Sequence, residues 1–218
     1  MNEIDFVFFI SLVSGIGFSF ILLSNLINYL LKTQTVYIYS FFIGLILASA
    51  YLLYQDLENK NFKLTFVLVI GIVISFIFVG LNPIANNHDV FTIFLAGSIA
   101  ICAMILPGIS GSMILLLLSQ YDYMIYALHS FNIKDISVFI FGAFVGILGF
   151  SKILNYLLKK YKNTTISLLI GVMIGTLRKP THEIMTHLTM PMYYCIIPAI
   201  LSFMLILILE RILIKRAI

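Results

Sequence analysis

Charge is what this sequence has least of: 13 Lys and Arg and 9 Asp and Glu among 218 residues, 10% of the chain, against ~25% in an average soluble domain. So few polar side chains cannot clothe a soluble globule of this size, and that class is excluded. Cysteine is scarce too. Cys102 and Cys195 both fall in apolar stretches, with no C-x-x-C spacing and no neighbouring His, so neither a disulfide framework nor a zinc site is supported. No positive segment precedes the first apolar run, since the first basic residue of the chain is Lys32; a cleavable signal peptide therefore does not fit. No nucleotide-binding glycine loop is present, which removes direct nucleotide-driven chemistry.

What is there is apolar length. Hydrophobic residues make up 61% of the chain, and residues 6–31 run 26 positions without a charge, long enough to span a bilayer with tilt. Further runs lie at 36–55, 64–81, 136–158, 165–177 and 192–209. Continuous runs of this kind lack the alternation of a membrane barrel, so the predicted class is all-α: a multi-pass protein of the cell membrane, one membrane domain over 1–218. The net charge of +4 then informs topology and headgroup attraction, and nucleic acid is not an implied partner.

The run 92–130 differs. Its middle reads Leu106-Pro107-Gly108-Ile109-Ser110-Gly111-Ser112. Proline removes a backbone donor and two glycines three apart allow angles no helix uses, so the helix is expected to break and re-enter. A break at membrane depth survives where it lines a cavity; a plain proline kink is the duller alternative.

The chain also resembles itself. Shifted by 127 positions, residues 24–49 lie over 151–176 with nine of 26 identical, including Asn28-Tyr29-Leu30-Leu31-Lys32 over Asn155-Tyr156-Leu157-Leu158-Lys159. Gly15 falls over Gly142. Two repeats are expected, a partial first over 6–91 and a second over 92–218. The same shift places the partner of Pro107 upstream of Met1. With a re-entrant hairpin and a cytoplasmic start, Lys and Arg divide eight inside to four outside, with Lys152 within a span. That topology makes the repeats inverted, a transporter architecture.

If Ser112 starts the second half-helix, its free amides offer an anion site to which Pro107, Gly108, Ser110 and Gly111 give close approach and hydroxyl donors. No Asp, Glu, His or Cys accompanies the motif, so a metal is not implied. Ser112 as a simple N-cap, with the glycines packing on a neighbour, is the alternative. The second candidate is Arg178-Lys179, which ends a short run carrying Gly171 and Gly175. Its guanidinium can reach a phosphate below the headgroups, or else snorkel as an interfacial anchor. The Gly108-Ile109-Ser110-Gly111 string also matches intramembrane serine proteases, with His129 as a nominal base, but no span contains a His.

The residues from Ala100 to Ser112, Leu115 to Tyr121, Asn155 to Tyr161 and Gly171 to Lys179 resemble the family known as domain of unknown function 368, polyprenyl-phosphate transporters of bacteria and archaea. The resemblance implies return of undecaprenyl phosphate across the cytoplasmic membrane for envelope synthesis, without an enzymatic step or cofactor. The residues expected to hold the lipid phosphate are the candidates already named: Pro107, Gly108, Ser110, Gly111, Ser112, Gly171, Gly175, Arg178 and Lys179. The implied partners are that lipid and the surrounding membrane lipids, with self-association left open. The family's amino-terminal half carries its own Pro-Gly-x-Ser-Gly segment, which is not found before Leu106 here, and the position paired with Arg178 is Tyr51. A carrier of a small soluble anion, or a non-transporting paralogue, is the competing expectation.

Overall fold

A computed structural model describes residues 6–58, 60–83, 87–187 and 193–217. Residues 1–5 and Met192, the acidic start and the first residue of the sixth run, lie outside the described residues. All regular structure among the described residues is helical: α1 (Phe6–Thr33), α2 (Thr35–Gln55), α3 (Phe62–Val79), α4 (Val90–Ile105), α5 (Gly111–Leu117), α6 (Tyr121–His129), α7 (Ile133–Lys160), α8 (Lys162–Thr176), α9 (Arg178–His187) and α10 (Tyr193–Ala217). Segments of α2, α3, α7 and α10 are long and apolar enough to cross a bilayer. With large apolar side chains exposed along them, the protein is a multi-pass membrane protein whose solvent is lipid.

In lipid no hydrophobic force draws helices together, and packing depends on how closely backbones approach. Three helix pairs show this. On α8, Gly171 and Gly175 face Gly71 and Ser75 of α3, so close that a Cβ on Gly175 would lie 2.5 Å from the Ile72 carbonyl oxygen. On α7, Gly142 and Gly146 seat against the backbone of Phe94 and Ser98 on α4, with Ser98 Oγ donating to the Gly142 carbonyl at 2.6 Å and Cys102 Sγ to that of Gly146 at 3.5 Å. Gly44 of α2 meets Ala199 and Ser202 of α10. The exposed Lys152 lies on α7 and lines no such contact.

The expected interruption is present. Leu106 takes an extended conformation (φ −77°, ψ 127°), the one a residue before proline prefers, and α4 stops. Gly108 adopts φ +88°, a left-handed angle that disfavours any residue with a Cβ. The chain then turns back. Buried Gln120, just past α5, donates from Nε2 to the Asn87 carbonyl at 2.7 Å and faces His88 Nδ1 at 3.2 Å, while the His88 ring stacks on Tyr123 at 4.1 Å. Entry and exit of the segment thus lie together, as a hairpin requires. The second half-helix begins at Gly111 with Ser110 in the N-cap position, one residue before the expected start at Ser112, because Ser110 still holds an extended backbone (φ −94°, ψ 132°).

Helix bounds also follow the 127-residue shift. Moved by that amount, α1 (Phe6–Thr33) takes the bounds of α7 (Ile133–Lys160), and the first residue of α2 falls on that of α8.

Candidate functional site

The hairpin apex rests against the end of α8. A Cβ on Gly108 would lie 2.8 Å from Thr176 Oγ1 and 3.2 Å from Met173 Cα, so only a glycine lets the turn sit this low on α8. A turn at Leu177 then separates α8 from α9. The result brings the two ends of the sequence motif pair together. One cavity of about 290 Å³ is lined by Gly108, Ser110 and Ser112 from the hairpin, Thr176, Lys179 and Pro180 from α8 and α9, and Tyr39, Phe42, Leu45 and Ile46 from α2. A second, of about 370 Å³, shares Val79, Met113 and Lys179 with the first and adds Arg178, His182, Glu183 and the turn at 80–83.

Within the first cavity Ser110 Oγ and Ser112 Oγ are 2.7 Å apart and both side chains are exposed. Either hydroxyl can give up that mutual bond for a ligand oxygen. No side chain caps the first turn of α5, whose leading amides have no partner inside the helix. The opposite wall is aromatic and aliphatic, so the cavity has a polar floor and an apolar side.

The two basic residues part company. Lys179 is exposed and borders both cavities. Arg178 turns toward α3: Nη1 donates to the Phe76 carbonyl at 2.6 Å and the guanidinium lies 4.4 Å over the Phe76 ring. That carbonyl lies in the last turn of α3, where helix oxygens lack amide partners and a cation is favoured. Gly80 makes room, since a Cβ there would overlap the guanidinium. Arg178 therefore ties α9 to the end of α3 while lining the second cavity.

Of the sequence-derived candidates, Gly108, Ser110, Ser112 and Lys179 share one cavity and Arg178 borders the next. Gly111 is buried against Ala100 and Met104, and Gly171 and Gly175 lie in the α3–α8 contact. Pro107 ends α4 and lines neither cavity. The sequence reading passed over Tyr39, Thr176, His182 and Glu183. The last two had a signal: Arg178, Lys179, His182 and Glu183 have the i, i+3, i+4 spacing of one helix face. Ending the apolar run at Leu177 hid it.

A helical multi-pass membrane protein with a mixed polar and apolar pocket at a helix interruption is the class that this fold and site define. The chain belongs to the VCA0040-like family, described as undecaprenyl phosphate translocase-like, whose match covers residues 1–192. It is 39% identical over 178 residues to a polyprenyl-phosphate transporter of Vibrio cholerae, covering 82% of this chain and 58% of that protein. It is 30% identical to a polyprenyl-phosphate transporter of Staphylococcus aureus over 95% of this chain and 80% of the relative. The chain thus spans little more than half the length of the Vibrio protein. No solved structure matches it.

Proposed function

We propose that this protein carries a polyprenyl phosphate, undecaprenyl phosphate in the bacterial setting, across the cytoplasmic membrane, returning the lipid carrier for envelope synthesis without chemical change to it. The observation that carries this reading is the cavity in which the Ser110 and Ser112 hydroxyls and the Lys179 side chain border the same space as Phe42, Leu45 and Ile46. Moving a bare phosphate into hydrocarbon is prohibitive, and hydroxyls, uncapped amides and a cation replace its water. The apolar wall from α2 suits the first isoprene units of a tail that otherwise stays in lipid. A soluble anion has no use for that wall, which places the lipid ahead of the small-anion alternative. Family membership and the names of the two relatives support the same substrate class.

The matching bounds of α1 and α7 support two structural repeats, which the Lys and Arg count orients as inverted. The test is reconstitution into vesicles with a fluorescent short-chain polyprenyl phosphate whose outward or inward exposure is read by a membrane-impermeant quencher. Exchange faster than in empty vesicles, and slowed by Ser112→Leu, is expected. Exchange equal to empty vesicles, with correctly inserted protein, would sink the reading.

A further inference from the structure

The end of the bundle opposite the two cavities gathers charge of one sign. On α8 the hairpin cavity adjoins Thr176 while Lys162 opens the helix, which sets the two ends ~20 Å apart. Lys159 and Lys160 close α7 just before it. Lys60 lies in the loop after α2, and Lys63 in the first turn of α3. Two observations bring these segments together. Gly71 and Ser75 of α3 meet Gly171 and Gly175 of α8 in the same order, so the two helices run parallel and start at the same end. Asn163 Nδ2, in the first turn of α8, donates to the Glu58 carbonyl of the α2–α3 loop at 3.1 Å.

All five lysines are exposed, and they outnumber Asp56 and Glu58, the acidic residues of the same loop. None of the five lies within ion-pair distance of a carboxylate among the described residues. Lys60 Nζ instead lies 4.3 Å from the Tyr54 ring centroid, and Lys160 Nζ 5.5 Å from those of Tyr156 and Tyr161. Two of the lysines also stand where local electrostatics disfavours them. The first turns of α3 and α8, which contain Lys63 and Lys162, have no acidic residue and no side-chain cap, and their leading amides carry partial positive charge. Cations gathered at two helix starts repel one another until an anion joins them. We propose that this lysine cluster binds the headgroups of anionic phospholipids in the leaflet at that end, as a surface separate from the cavity for the carried phosphate. Lys60 and Lys63 lie between the membrane-length helices α2 and α3, and Lys159 and Lys160 end the membrane-length α7, which sets their ammonium groups at headgroup depth. Tyrosines beneath lysines are the side chains that this interface favours. Negative headgroup phosphates complement the cluster, and a lipid held there links the α2–α3 loop to the α7–α8 turn.

The test is lipid retention. The whole protein is reconstituted in vesicles of equal parts phosphatidylglycerol and phosphatidylcholine, re-extracted in mild detergent, and the lipid that stays with it is quantified by mass spectrometry. Wild type is expected to retain phosphatidylglycerol over phosphatidylcholine by about fivefold or more, the scale of a single lysine at a membrane surface, and high salt should shrink the preference. The combined Lys60→Gln, Lys160→Gln and Lys162→Gln variant should retain the two lipids alike, and arginine at the same three positions should keep the preference. Lys32→Gln with Lys134→Gln, at the other end of the bundle, should behave as wild type. If the glutamine variant fails to assemble, the salt titration of wild type and the arginine variant decide. Equal retention of both lipids by wild type, a preference indifferent to salt, one that survives the three glutamines, or one lost equally in the Lys32 and Lys134 variant each overturns the proposal. A preference lost in Lys179→Ala but kept in the glutamine variant seats the lipid at the hairpin cavity and overturns it too.

Discussion

Helices α1 and α7 begin and end at corresponding residues of the 127-residue shift, yet they live in different surroundings. Gly142 of α7 is pressed against Phe94 and accepts the Ser98 hydroxyl on its carbonyl, whereas a Cβ on Gly15, its counterpart in α1, would meet nothing within 4 Å. Every residue from Ile10 to Ser19 is exposed. The cations are as one-sided: Arg178 and Lys179 correspond to Tyr51 and Leu52. A shared sequence pattern thus gives the two helices the same length, while close packing arises where a second element lies against one of them. For α7 that element is α4.

The largest expected effect comes from breaking the sheathed side. Gly142→Leu drives a side chain into the Phe94 carbonyl and should part α4 from α7, costing on the order of 3 kcal/mol or preventing assembly. Thermal unfolding in detergent, read by monodisperse yield, checks it. Next, Lys179→Ala should weaken polyprenyl-phosphate binding about 100-fold at unchanged thermal stability, the scale of one charge-assisted bond; equal binding would remove Lys179 from the site. Arg178→Ala should lower stability by ~1–3 kcal/mol, since the Phe76 carbonyl loses its donor. Arg178→Lys should recover only part of this, because an ammonium cannot both stack on the Phe76 ring and bond its carbonyl as a planar guanidinium does. The smallest effect belongs to the bare side: Gly15→Leu should change stability by less than ~0.5 kcal/mol. A loss comparable to that of Gly142→Leu would erase the contrast between the halves.

Composition and run length made the all-helical membrane class legible, since no soluble or barrel arrangement accommodates such uninterrupted apolar runs. The break at Leu106-Pro107-Gly108 was legible for a local reason: proline restricts its predecessor and glycine alone accepts φ +88° comfortably. The direction of Arg178 was not. Whether its guanidinium turns to a ligand or to the Phe76 carbonyl depends on Gly80 leaving space 98 positions earlier in the chain, a contact no periodicity encodes. Gly171 and Gly175 were grouped with the site by sequence, but their spacing serves the α3–α8 approach. Glu183 stayed hidden because helix continuation past the turn at Leu177 was not anticipated.

The most direct test places a reporter on the hairpin. With Cys195 changed to Ala and Cys102 to Ser, which keeps a donor for the Gly146 carbonyl, Ser112→Cys should react with a charged, membrane-impermeant thiol reagent. Polyprenyl phosphate at saturation should protect it, and polyprenol, which has the tail without the phosphate, should not. A thiol that never reacts, or reacts equally with and without the phosphorylated lipid, would contradict a lipid-phosphate site at the helix interruption.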